Sequence, residues 1–120
     1  MSNPAEWPGV GLLLGLDVGT GGARALAVDA ESGAVVAEAA SEYELATPRP
    51  GWTEQDPADW ADAAERTLAE VARGRADQVE AVGLAGQMHG SVFLDSGDRV
   101  IRPALLWNDH RTVAQAEEIE

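Results

Sequence analysis

Leu12-Leu13-Leu14-Gly15-Leu16-Asp17-Val18-Gly19-Thr20-Gly21-Gly22-Ala23-Arg24 is the stretch that decides the fold. It opens as a short apolar run bounded by turn residues, which reads as a buried strand rather than a helix. Gly19-Thr20-Gly21-Gly22 is the turn that ends it. Beyond the turn, Ala23, Ala25 and Ala27 alternate with Arg24, Leu26 and Val28, the period of a second strand. Glu31-Ser32-Gly33 marks another turn, and Ala34 to Tyr43 reads as a third strand. Short glycine-bearing turns between three extended runs predict an antiparallel meander.

On the N-terminal side, Met1–Gly11 is expected to be a flexible leader, because Pro4, Pro8 and Gly9 discourage regular structure. Trp7 within it is either an anchor or an exposed aromatic. On the C-terminal side, Leu45 to Gln55 carries Pro48, Pro50 and Gly51 and reads as a loop. A helix follows, with Asp56 as N-cap, Pro57 at the first helical position and Gly74 just past the end. Trp60, Ala63, Ala64, Thr67, Leu68 and Val71 share one face of it. Val79 to Ala85 is predicted to be a strand buried on both faces, pairing parallel with the meander while the helix packs across one side. Ser91–Leu94 and Arg99–Ile101 bracket Asp95-Ser96-Gly97-Asp98 as a hairpin, and Ala104–Trp107 is extended. A helical pattern begins near Thr112, with Val113, Ala116 and Ile119 inward. It reaches Glu120 without a capping residue, which reads as a truncated chain. Residues 12–120 are thus expected to form one partial α/β domain.

Composition narrows the function. The chain has 120 residues, about one domain and short for a two-domain enzyme. Eight Lys and Arg against 21 Asp and Glu leave a net charge of -13. That charge repels phosphate backbones and anionic bilayers, so neither nucleic acid nor membrane is an expected partner. Without Cys, thiolate zinc sites, disulfides and cysteine nucleophiles are excluded. No apolar run approaches a membrane span and no signal-peptide pattern is present, so the expected location is cytoplasmic.

Two readings fit Asp17 and the glycines. A carboxylate at a strand end before a glycine-rich turn suits Mg²⁺ and phosphate, with Gly19 and Gly21 admitting phosphate oxygens to the backbone and Thr20 adding a hydroxyl. The other reading is a tight hairpin with Asp17 as turn-former. Arg24 is either a phosphate partner or a surface strand residue. The run lacks the Gly-Lys-Ser/Thr ending of a P-loop and does not open a helix as a dinucleotide fingerprint does. His89, alone after a strand, is by pattern a satisfied polar residue or a ligand. Glu117-Glu118 is a solvated helix face.

Asp17-Val18-Gly19-Thr20-Gly21-Gly22-Ala23-Arg24 resembles the first phosphate motif of the actin-like, sugar-kinase and chaperone ATPase superfamily. The resemblance implies an α/β, ribonuclease H-like fold beginning with the meander. Pro50-Gly51-Trp52-Thr53-Glu54-Gln55-Asp56-Pro57 is similar to a stretch of the carbohydrate kinases that include glycerol, gluconate, fucose and xylulose kinases. Ala85-Gly86-Gln87-Met88-His89-Gly90 and Pro103-Ala104-Leu105-Leu106-Trp107-Asn108-Asp109-His110-Arg111 resemble the xylulose-phosphorylating branch. This resemblance implies phosphoryl transfer from ATP, with Mg²⁺, to D-xylulose. It places Asp17 as the catalytic carboxylate at the metal, Gly19, Thr20, Gly21 and Arg24 at the phosphates, and Met88 and His89, supported by Gln87, at the sugar. Asn108, Asp109 and Arg111 are either sugar contacts or a cap-and-salt-bridge cluster opening the last helix. The family's catalytic base and adenine-binding domain lie downstream of these motifs, so this chain alone is expected to be inactive. A homodimer of the full-length enzyme is a further expectation. The alternatives are another kinase of the family, or a free-standing sugar-binding module without catalysis.

Overall fold

Alternation and side-chain size together organise the sheet. The computed structural model describes residues 11–120, so residues 1–10 of the expected leader, Trp7 included, lie outside the described residues. Gly11, the last leader position, is buried, and its carbonyl accepts from the Ala30 N–H. Strands β1 (Leu12–Val18), β2 (Gly22–Asp29) and β3 (Val35–Glu42) form the expected antiparallel meander. Two further elements complete this layer: helix α1 (Pro57–Ala72) and strand β5 (Val79–Gly86), which a single 3₁₀ turn at Ala76–Gln78 introduces. Between β3 and α1 lies the two-residue strand β4 (Glu54–Gln55). The main sheet runs β3-β2-β1-β5, with β5 parallel to β1.

In β1 and β2 the residues facing α1 are large on one strand and small on the other. Leu14 lies opposite Ala27 and Leu16 opposite Ala25. Ala25 and Ala27 are fully buried and Ala23 nearly so. An alanine strip lets a helix approach the sheet closely, and α1 answers with Ala63, Thr67 and Val71, all buried. Thr67 satisfies its buried hydroxyl by donating to the Ala63 carbonyl at 2.8 Å. The helix begins as its sequence predicts: the Asp56 carboxylate accepts from the Ala58 N–H at 2.9 Å, and Pro57 takes the first turn. A cap of this kind contributes about 1 kcal/mol. Gly74, with φ +75°, closes the helix in the left-handed conformation that glycine adopts without penalty.

Three expectations need correction. Strand β5 forms, but it is not buried on both faces: Leu84 is 76% exposed and Val82 47%. It is the end strand, and α1 lies over β2 and β3 and leaves it uncovered. Helix α2 (Val113–Ile119) also forms, yet Val113, Ala116 and Ile119 are exposed rather than inward, because no element packs over them among the described residues. The hairpin around Asp95–Asp98 keeps its turn but not its strands. The Asp95 carboxylate accepts from Gly97 and Arg99 N–H groups, and the ladder ends at the single bridge Leu94–Val100.

A second, smaller sheet joins the segment before α1 to the segment after β5. Strand β4 pairs antiparallel with β6 (Ala104–Leu105), and Ser91 bridges to Leu105. This sheet draws Trp52–Asp56 and Leu106–Arg111 together beside the turn after β1.

Candidate functional site

Asp17 is the last outward-facing residue of β1 before the turn, exposed and directly across from Arg24 on β2. The two do not form an ion pair within 4 Å, and Asp17 has no salt bridge among the described residues. With Arg24 it lines a concavity of about 370 Å³ that also includes Gly21, Gly22, Ser41 and Glu42.

The turn itself is held by its carbonyls. The Gly19 carbonyl accepts from the Tyr43 hydroxyl, that of Thr20 from Gln55 Nε2 at 2.6 Å, and that of Gly21 from the Tyr43 N–H at 3.2 Å. Across a trans peptide the next N–H points opposite to the carbonyl. The N–H groups of Thr20 and Gly21 are therefore directed away from Tyr43 and Gln55. Burial, and then the Asp17 charge, push the Tyr43 hydroxyl above its ordinary pKa, so it stays protonated as a donor. Gly22 is where the turn re-enters the sheet, and a Cβ there would lie 2.6 Å from the Ser41 carbonyl oxygen.

On the other side of the turn, β5 ends at Gly86 beside Val18, and the Gln87 N–H donates to the Val18 carbonyl at 2.9 Å. Gln87 and His89 line a second concavity of about 260 Å³ with Val18, Trp60, Gly86 and Gly90. Met88 projects into solvent, 67% exposed. His89 holds a left-handed backbone, φ 56°, which a residue with a Cβ adopts at a cost of order 1–3 kcal/mol. Thr20, beside Gly21 of the first concavity, bonds to Gln87 of the second: its hydroxyl donates to Gln87 Oε1 at 3.2 Å and accepts from Trp107 Nε1 at 3.1 Å. Of the residues predicted from sequence, Asp17, Gly21 and Arg24 thus meet on one side, Gln87 and His89 on the other, with Thr20 between them. Gln55, Tyr43 and Trp107 have no sequence signal of their own, although Gln55 is only 3% exposed and so is a buried amide in need of partners.

Asn108, Asp109 and Arg111 do not cap α2, whose N-cap Thr112 makes no side-chain cap bond. They clamp the Trp52–Glu54 segment instead. Asp109 accepts from the Thr53 N–H at 2.9 Å, and Asn108 Oδ1 accepts from the Thr53 hydroxyl at 2.8 Å. Arg111 binds Asp109 through Nε and Nη2, reaches Glu54 through Nη1 at 2.8 Å, and stacks 3.8 Å over the Trp52 ring. The Arg111 guanidinium holds the Asp109 carboxyl well below the usual carboxylate range, against burial, with the Arg111 and Thr53 N–H groups assisting. A carboxyl whose folded pKa is depressed stabilises the fold above its unfolded pKa, about 3.9, and loses that contribution as pH falls below it. Urea midpoints are therefore expected to fall more steeply below about pH 4 in the wild type than in Asp109→Asn. Parallel acid slopes in the two proteins would contradict this assignment.

A parallel strand added to an antiparallel meander, with a glycine turn and a free carboxylate at its mouth, defines the actin-like ATPase fold in the form sugar kinases use. Residues 12–120 match the FGGY family of carbohydrate kinases, N-terminal domain, and the chain belongs to that family. It is 39% identical over 110 residues to the xylulose kinase of Escherichia coli, covering 91% of this chain and 22% of that protein. Two crystal structures are similar. That of a xyloylose kinase from Brucella ovis has a TM-score of 0.81 at 41% identity, over 90% of this chain and 23% of that one. That of xylulose kinase from Rhodospirillum rubrum has a TM-score of 0.84 at 34% identity, over 90% of this chain and 22% of that one. The chain thus spans less than a quarter of the length of these relatives.

Proposed function

We propose that these residues are the N-terminal, sugar-side part of a xylulose kinase, which transfers a phosphoryl group from ATP to D-xylulose and yields D-xylulose 5-phosphate. The observation that carries the reading is the pair of concavities on either side of one glycine turn, Asp17 with Arg24 in the first and His89 in the second. Phosphoryl transfer needs donor and acceptor held close together and the phosphate charge neutralised. The loop's outward N–H groups and Arg24 are suited to phosphate oxygens, and His89 to a sugar hydroxyl through its ring nitrogens. Met88, exposed in the same loop, would have to turn toward a bound sugar to give it an adaptable apolar wall.

The donor set fits Mg²⁺ in the form it takes with nucleotides. No cluster of three or more ligating side chains exists among the described residues, but Asp17 is a single unpaired carboxylate beside the phosphate loop. Mg²⁺ is commonly held by one or two carboxylates, with waters and substrate phosphates completing its shell. When bound it would neutralise charge on the phosphates. Asp17 would hold it, Gly19 to Gly21 would orient the phosphates, and His89 would orient the sugar. The residue that takes the sugar hydroxyl proton is not assigned to this chain, so these residues alone are inactive on this reading. A cytoplasmic location and a homodimer of the whole kinase belong to the same proposal. No helix among the described residues is long and apolar enough to cross a membrane.

The test is sugar-dependent ADP release. The polypeptide carrying these residues at its N-terminus is expected to prefer D-xylulose to glycerol, gluconate and fuculose, whereas the 120 residues alone should not exceed an Asp17→Asn control. His89→Ala is expected to raise KM for xylulose about tenfold, the equivalent of one good hydrogen bond, with a smaller change in kcat. An unchanged KM would remove His89 from the sugar site, and a preference for another substrate would assign the chain to another kinase of the family.

A further inference from the structure

Gln55 sits at the end of β4, 3% exposed, and uses its amide three times. Its Oε1 accepts from Trp60 Nε1 at 2.9 Å and from Gln87 Nε2 at 3.0 Å, while its Nε2 donates to the Thr20 carbonyl at 2.6 Å. Thr20 and Gln87 are themselves bonded through the Thr20 hydroxyl, so Gln55, Thr20 and Gln87 close a ring. The direction of every bond in it is determined. An indole N–H donates and cannot accept, so Trp60 forces the Gln55 oxygen toward itself and the nitrogen toward Thr20. Gln87 must then present nitrogen to Gln55 and oxygen to Thr20. At the far end the Trp107 indole donates to the Thr20 hydroxyl, whose own proton is left for Gln87. Two donor-only indoles and the acceptor-only Thr20 carbonyl thus fix the orientation of both amides.

The consequence concerns the two loops. Thr20 belongs to the turn after β1 and Gln87 to the turn after β5, and Gln55 belongs to neither. We propose that Gln55 is a positioning residue that makes these two turns open and close as one unit, so that the phosphate loop and the loop carrying Met88 and His89 keep a fixed relation. What the two turns bind rests on the function proposed above, whereas the coupling itself does not need a ligand to be observed.

Amide hydrogen exchange in the 120-residue chain tests this. The Gly19 N–H, bonded to the Gly22 carbonyl, reports on the first turn, and the Gln87 N–H, bonded to the Val18 carbonyl, reports on the second. Gln55→Met keeps the volume and removes all three bonds. It is expected to speed exchange at both reporters by a similar factor, about tenfold or more, while amides of β2 and α1 keep their rates, since local opening is separable from global unfolding. Acceleration at one turn alone overturns the proposal, as does equal acceleration throughout the sheet, which would make Gln55 an ordinary core residue. Thr20→Val provides a second and milder variant. It cuts the Thr20–Gln87 side of the ring and the Trp107 bond to the Thr20 hydroxyl, and leaves Gln55 bonded to the Thr20 carbonyl and to Gln87. With Gln55 still bonded to both turns, exchange at Gly19 and Gln87 is expected to rise by a similar factor that is smaller than in Gln55→Met, and acceleration at Gln87 alone overturns the proposal. Because no sugar or nucleotide is present, a failed kinase assay and a failed coupling remain separate results.

Discussion

Asp17→Asn is expected to lower kcat for xylulose phosphorylation by roughly 100-fold or more in the xylulose kinase proposed to carry these residues. A metal-bound carboxylate supports several kcal/mol of charge stabilisation, which corresponds to two or more powers of ten in rate. The amide has the same size and shape, so the loss is one of charge. It should leave the fold intact, because Asp17 is exposed and forms no salt bridge among the described residues. An independent readout comes from the chain's one tyrosine. Asp17 helps push the Tyr43 hydroxyl upward, although burial is the larger cause. In Asp17→Asn an alkaline absorbance titration should therefore show Tyr43 ionising at lower pH than in the wild type, yet still above a free tyrosine. A kcat within a few-fold of wild type, measured with both substrates saturating, would remove Asp17 from the phosphate site. An unmoved Tyr43 titration would separate its carboxylate from the turn.

Gly22→Ala is expected to be the most disruptive single methyl addition at the turn. The new Cβ would lie 2.6 Å from the Ser41 carbonyl oxygen and 3.0 Å from the Glu42 Cα, both backbone atoms that cannot swing aside. The β2–β3 pair must separate where Gly22 faces Glu42, at a cost of about 1–3 kcal/mol. Tyr43 follows Glu42 directly, and its N–H and hydroxyl hold two of the turn's carbonyls. Loss of stability should therefore be accompanied by loss of the turn's geometry and, on the phosphate-binding role proposed for it, by a raised KM for ATP. Gly21→Ala is the control, since a Cβ there meets nothing within 4 Å. Equal urea midpoints for the two variants would refute the crowding argument.

The meander, α1 and its caps were legible because each depends on neighbours in sequence. Ala23, Ala25 and Ala27 alternate, and Asp56-Pro57 announces a helix start without reference to anything distant. The expectation of a doubly buried β5 failed for the opposite reason. An apolar strand says that it prefers cover, but whether another layer supplies it is decided elsewhere in space. The same holds for Val113 and Ile119 on α2. In the site, Asp17 and the glycines were visible as a motif, and His89 only through a family likeness. Gln55 was invisible, because one glutamine before an N-cap acquires meaning only when residues 20, 60 and 87 converge on it. Asn108, Asp109 and Arg111 stand together in the sequence, but their partners Thr53 and Glu54 are more than fifty positions away.

The left-handed backbone at His89 has an evolutionary consequence. Glycine would hold φ 56° without the penalty that a Cβ incurs, so the most stable residue at this position is not the one present. A population of variants selected only for heat resistance would drift toward glycine there, and would discard the imidazole in doing so. On the sugar-binding role proposed for His89, stability and activity are set against each other at this one position, and an ancestor or engineered derivative with glycine at 89 would be a scaffold that has given up that grip.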